Sequence, residues 1–128
     1  MRVHLDTDFL VYALSVSGPE RQRLLGLAES GADLQMSAVA WYELARGPRT
    51  PEQLAVARSF FAADGIIPLS EELAESAAKV FRELGSPRRR GADVVIGVTA
   101  AAMGALLLTR NDDDFAGIPD LRLERTVG

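Results

Sequence analysis

Short apolar runs alternate along this chain with stretches of helical periodicity, and that alternation leaves few architectures open. Val3-His4-Leu5, Ile66-Ile67-Pro68-Leu69 and Leu106-Leu107-Leu108-Thr109 are each strand-length and bounded by turn or cap residues. Helix starts and stops lie between them. The pattern predicts an α/β fold in three layers, α/β/α, with a mainly parallel central sheet flanked by helices. The 128 residues suit one domain, spanning 1–128, with one core.

The first strand is expected over 2–6 and a helix over 7–16, capped by Thr7 or Asp8. Ser17-Gly18-Pro19 breaks the chain, and Pro19 suits the start of a second helix to about Ser30. A short strand follows over 33–36. Ser37 caps a helix through Ala45, which Gly47-Pro48 ends. Pro51 opens another helix to about Ala63. The strand over 66–69 contains Pro68 and so belongs at a sheet edge. Ser70, Glu71 and Glu72 open a helix ending near Gly85, followed by a basic loop, Ser86 to Gly91. Residues 92–103 are nearly all apolar and predict a buried central helix. Strands over 105–109 and 121–124 complete the chain.

The 48% hydrophobic content belongs to a folded globule. No apolar run reaches the ~18 residues of a membrane span. Asp6 interrupts the N-terminus too early for a secretory signal. With no Cys, disulfides, thiolate catalysis and Cys-type zinc sites are excluded. A cytoplasmic protein without membrane attachment is the expectation. The formal charge of −4 is not the footprint of a general nucleic-acid binder, although clustered metal-binding acids would themselves move the balance negative.

Four acids, Asp6, Glu43, Asp93 and Asp114, stand in apolar surroundings where elements begin or end. Buried carboxylates cost free energy unless compensated, and converging ones raise each other's pKa. A hard divalent cation with oxygen ligands removes both penalties. In open parallel sheets ligands bind beyond the carboxyl ends of the strands. Asp6 and Asp114 follow such ends, and Asp93 lies in the first turn of the apolar helix. An acidic, metal-dependent active site is therefore the leading reading.

Each acid also has a structural explanation. Asp6 or Asp8 serves as a helix cap. Glu43 pairs with Arg46 or Arg49 on a helix surface. Asp93 favours the positive end of its helix. Asp112, Asp113 and Asp114 form a solvated turn. His4, the only histidine, reads as a strand residue rather than a ligand.

Together these segments resemble the PIN-domain ribonucleases, and most closely the VapC toxins of prokaryotic toxin–antitoxin pairs. The resemblance rests on Leu5-Asp6-Thr7, on Ser37 through Glu43-Leu44 with Gly47, and on Asp93-Val94-Val95-Ile96 before an Ala-rich helix and Gly104. Its last part is Thr109-Arg110-Asn111 through Asp114-Phe115, with Ile118-Pro119 and Leu121 after it. It covers nearly the whole chain. It implies RNA cleavage dependent on Mg2+ or Mn2+, with Asp6, Asp93 and Asp114 as metal carboxylates and Glu43 as the fourth acid. Thr109 and Asn111 match polar residues that shape the pocket. Two departures are Asp8, where Asn is usual, and the acidic Asp112-Asp113. Asp112 is left as either a further ligand or a group behind one. The resemblance also implies a homodimer and a cognate antitoxin that covers the site.

Arg88, Arg89 and Arg90 directly precede the Asp93 helix and are candidate contacts for RNA phosphates, or else a solvated basic loop. Leu24, Leu25, Phe60 and Phe61 face the core or a partner, the core being favoured. Two other functions compete. Asp6-Thr7-Asp8 matches the start of haloacid-dehalogenase-type phosphatases, which also need a downstream lysine, here only Lys79. A non-catalytic, metal-stabilised binding module is the third.

Overall fold

The computed structural model describes residues 1–127. Among them, five parallel strands form one sheet. The strands are β1 (Arg2–Leu5), β2 (Asp33–Ser37), β3 (Ile66–Ile67), β4 (Leu106–Thr109) and β5 (Arg122–Arg125). Their order across the sheet is β3-β2-β1-β4-β5. The helices are α1 (Thr7–Ser15), α2 (Pro19–Glu29), α3 (Ala38–Ala45), α4 (Pro51–Arg58), α5 (Glu71–Glu83) and α6 (Gly91–Ala102). The predicted three-layer α/β/α arrangement is the one found.

The strand order carries functional weight. From β1 the chain moves outward through β2 to β3, then returns to place β4 on the other side of β1. The direction of winding therefore reverses between β1 and β4, and in sheets of this kind ligands bind at the carboxyl ends of such a strand pair. Register pairs Val3 with Leu106 and Leu5 with Leu108, so Asp6 and Thr109 leave the sheet side by side. The Asp6 N–H donates to the Leu108 carbonyl at 3.0 Å, extending the pairing to that point.

Layers on both faces follow from burial. Val3, His4 and Leu5 are consecutive, point alternately to opposite faces, and are all buried. His4 sits opposite Gln35 of β2, and its Nε2 shares a 2.9 Å hydrogen bond with Oε1 of that side chain. Burial lowers the His4 pKa. It is a strand residue of the core, as expected.

Several boundaries differ from expectation for local reasons. Asp6, rather than Thr7 or Asp8, caps α1, with its Oδ1 accepting from the Thr7 N–H at 2.8 Å. Helix α4 stops at Arg58 instead of Ala63. The Arg58 guanidinium donates to the carbonyls of Phe61, Ala62 and Ala63 and holds them in a turn. Pro68 confines β3 to two residues, and the strand does lie at an edge. The basic loop contains a 3-10 turn, Arg88–Arg90, and α6 begins at Gly91. A second 3-10 turn, Asp112–Phe115, carries the three consecutive acids. The last strand is shifted one residue onward, to 122–125. Leu24 and Phe61 are core residues, whereas Leu25 is 45% exposed. Phe60 packs only partly buried against the core.

Candidate active site

Asp6 is the buried centre of the acid cluster, only 9% exposed. One carboxylate oxygen caps α1. The other, Oδ2, accepts from the Thr109 hydroxyl at 3.0 Å. Burial pushes its pKa up to about 6, with the charges of Asp8 and Glu43 adding to the rise. The hydrogen bonds from Thr109 and the Thr7 N–H oppose it. Asp6 therefore caps α1 and stands in the acid cluster with the same side chain, so the cap role does not exclude a functional one.

Glu43 reaches the cluster from α3. Its Oε1 accepts from the Thr7 hydroxyl at 3.1 Å, and the same hydroxyl also approaches the Ala40 carbonyl. Its other oxygen lies 3.8 Å from Nη2 of Arg46, the pair expected from the sequence. Arg49 instead donates to the Leu44 carbonyl and covers Gly47, where a Cβ would collide with its guanidinium.

Asp93 projects from the first turn of α6. It is not the helix cap: Arg90 holds that position and supplies no side-chain cap bond. Partial burial pushes the Asp93 pKa up to about 7. The charges of Asp6, Asp114 and Glu43 raise it further, against the opposing effect of Arg90. Asp6, Asp114 and Glu43 therefore all bear on Asp93, which ties the four predicted acids to one region.

Asp114 is held in its 3-10 turn by two contacts. Asn111 Nδ2 donates to its Oδ2 at 3.1 Å. Arg90 Nε donates to its carbonyl at 3.0 Å, and Arg90 Nη2 to the Ala116 carbonyl at 2.7 Å. Arg90 is thus engaged in holding this loop, while Arg88 and Arg89 are exposed and free to meet an anion. Asp8 is exposed at the rim. Asp112 turns toward Arg125 of β5, at 4.0 Å.

Sequence reasoning missed two supports. Thr7 was read only as a possible cap, yet its hydroxyl links Asp6's helix to Glu43. Gly97 of α6 lies under the loop after Asp114. A Cβ there would stand 2.5 Å from Ile118 Cδ1 and 3.3 Å from the Phe115 ring. A lone glycine inside an apolar helix is the available signal for such a close approach.

Among the described residues, no three acidic or histidine side chains are already drawn together as a cation cage. The donor set is nevertheless all oxygen, clustered and partly desolvated, which fits a hard divalent cation. A groove of about 360 Å3 lies elsewhere, between α1 and α4, lined by residues including Val11, Leu14, Pro48 and Val56.

A family model for the PIN domain matches residues 3–121. The chain belongs to the PIN-domain family. Solved structures agree with this PIN fold over almost its whole length. VapBC2 from Rickettsia felis, bound to a DNA fragment from its promoter, superposes with a TM-score of 0.74 at 24% identity, covering 98% of each chain. A toxin–antitoxin complex from Klebsiella pneumoniae gives 0.71 at 28% identity, covering 93% of this chain and 94% of that one. FitAcB from Neisseria gonorrhoeae gives 0.69 at 24% identity, covering 94% and 95%. No curated protein sequence matches significantly.

Membership of this family removes the phosphatase alternative. Lys79, the lysine that alternative requires, is exposed on α5 and lies 4.0 Å from Glu83. Among the described residues, no helix is long and apolar enough to cross a membrane.

Proposed function

We propose that this PIN domain, over residues 1–128, is an endoribonuclease toxin dependent on Mg2+ or Mn2+ and restrained by a cognate antitoxin. The observation that carries the reading is the shared cluster of Asp6, Glu43, Asp93 and Asp114 at the β1/β4 crevice, where burial and repulsion raise the pKa values of Asp6 and Asp93. Acids whose negative charge is disfavoured, as at Asp6 and Asp93, are a poor design for stability and a good one for binding a cation.

Asp6, Asp93 and Asp114 would hold the cation, with Glu43 completing the acid set. When bound, the cation supplies Lewis acidity to a phosphodiester and its attacking water. The remaining chemistry belongs to the chain. Thr109 fixes the orientation of Asp6, and Asn111 that of Asp114. Thr7 restrains Glu43. Arg90 offsets part of the negative charge beside Asp93. The only histidine is buried in the sheet, so proton transfer falls to the carboxylates or to water. Exposed Arg88 and Arg89 are suited to attract RNA phosphates to an otherwise negative crevice.

The similar structure from Klebsiella pneumoniae is a toxin–antitoxin complex, which supports the toxin assignment. A homodimer and a cytoplasmic location belong to the same proposal.

The test is cleavage of a mixed cellular RNA pool by antitoxin-free protein with Mg2+ or Mn2+, beside EDTA and Asp93→Asn controls. Cutting that requires metal and Asp93 is expected. Cutting that persists in both controls would refute the assignment. A folded protein that binds Mg2+ but cuts no RNA would favour the binding-module alternative.

A further inference from the structure

The loop bearing Asn111 and Asp114 leaves β4 through Arg110, and extended backbone sends successive side chains to opposite sides. Thr109 turns toward the acids, where its hydroxyl donates to Asp6 and accepts from the Asn111 N–H at 3.0 Å. Arg110 engages a different set of elements. Its Nε donates to Glu20 Oε2 at 2.9 Å, and its guanidinium carbon stands 3.4 Å from the centre of the Tyr12 ring. Glu20 lies in the first turn of α2 and is 2% exposed. Tyr12 belongs to α1.

One planar cation thus joins α1, α2 and the end of β4. Its flat face stacks on the ring while its edge meets the carboxylate, a combination lysine cannot reproduce. A 2.9 Å ion pair to a carboxylate that is 2% exposed, with the guanidinium stacked on Tyr12, holds Arg110 to a narrow range of positions. That constraint falls on the residue between the two side chains that orient Asp6 and Asp114.

We propose that Arg110 is a positioning residue. Docked on Glu20 and Tyr12, it sets the direction in which the chain leaves β4, and so places Thr109 against Asp6 and Asn111 against Asp114. Its effect on catalysis rests on the nuclease reading above; its effect on the loop does not.

The test uses the full chain carrying Arg110→Met with Glu20→Gln, which removes both charges of the ion pair. The first readout is hydrogen exchange at the Asn111 amide. It should exchange at least ~10-fold faster, while amides within β1 and β4 keep their protection. The second is Mg2+ binding by calorimetry, expected to weaken ~10-fold or more. RNA cleavage should lose kcat at limiting Mg2+ with KM for RNA unchanged. Tyr12→Leu is the milder variant, since that ring is already 37% exposed, and it should shift both readouts in the same direction by less. It decides the question should the paired variant not fold. Unchanged Asn111 exchange and Mg2+ affinity in a folded variant would overturn the proposal. So would a uniform loss of protection through β1 and β4, which marks a purely structural role. Wild-type protein that neither binds Mg2+ nor cuts RNA would refute the nuclease reading, and Asn111 exchange would still decide the role of Arg110.

Discussion

Replacing Asp93 by Asn should make the metal-free protein more stable, although the residue belongs to the proposed site. The Asp93 carboxyl is pushed up to about 7 from an ordinary 3.8. A shift of that size corresponds to ~4 kcal/mol at ~1.4 kcal/mol per pKa unit. Asp93 is only partly buried, so solvent screening reduces the figure to ~2 kcal/mol. The sign follows from proton linkage. Between the unfolded and folded pKa values the native state binds more protons than the unfolded chain. Stability from this group is therefore greatest at low pH and falls as pH rises from about 4 to about 7. Asn keeps the shape and removes the charge. In EDTA at pH 7.5 the variant should melt ~8 °C above wild type, taking ~4 °C per kcal/mol for a domain of this size. The gap should narrow toward pH 5. Saturating Mg2+ should invert the order, because ligand at ~100 times its Kd stabilises wild type by ~2.7 kcal/mol. Differential scanning calorimetry at several pH values, with and without Mg2+, measures all of this. A variant no more stable than wild type in EDTA, or a gap that does not grow with pH, would refute the electrostatic reasoning.

Thr109→Val should remove the hydroxyl that Asp6 accepts from and the acceptor used by the Asn111 N–H. Asp6 should then titrate above its present value of about 6, read by NMR, with cleavage falling ~10–100-fold. Gly97→Ala should press a methyl group against Ile118 and Phe115, costing ~1–3 kcal/mol in denaturant melts and lowering cleavage by displacing the Asp114 turn. The pair Arg88→Gln and Arg89→Gln, with Arg90 intact, should raise KM for RNA and flatten its salt dependence. An unchanged salt dependence would remove those two arginines from the RNA path.

The alternation of short apolar runs with helical segments was enough to assign the α/β class. Residues such as Leu5 and Leu108 must be buried wherever their strands lie. The acids were legible for a related reason. A carboxylate beside an apolar strand is costly, and four of them require an explanation. Helix ends were less legible, because side chains reach back over several residues. Arg58 ends α4 by bonding carbonyls beyond it, and Asp6 displaces Thr7 as the cap of α1.

Local patterning in the chain set the α/β class, most of the buried core and the placing of acids beside apolar segments, since these depend on periodicity and on the cost of burying charge. Only the tertiary structure decided that β4 returns to lie beside β1, bringing Asp6 and Thr109 together across 103 residues. It also decided which arginine does what: Arg90 bonds the Asp114 and Ala116 carbonyls, Arg110 pairs with Glu20 and stacks on Tyr12, and Arg88 and Arg89 stay exposed. Strand order and side-chain partnering are set by packing between distant segments, and no local pattern in the chain encodes which distant segment will arrive.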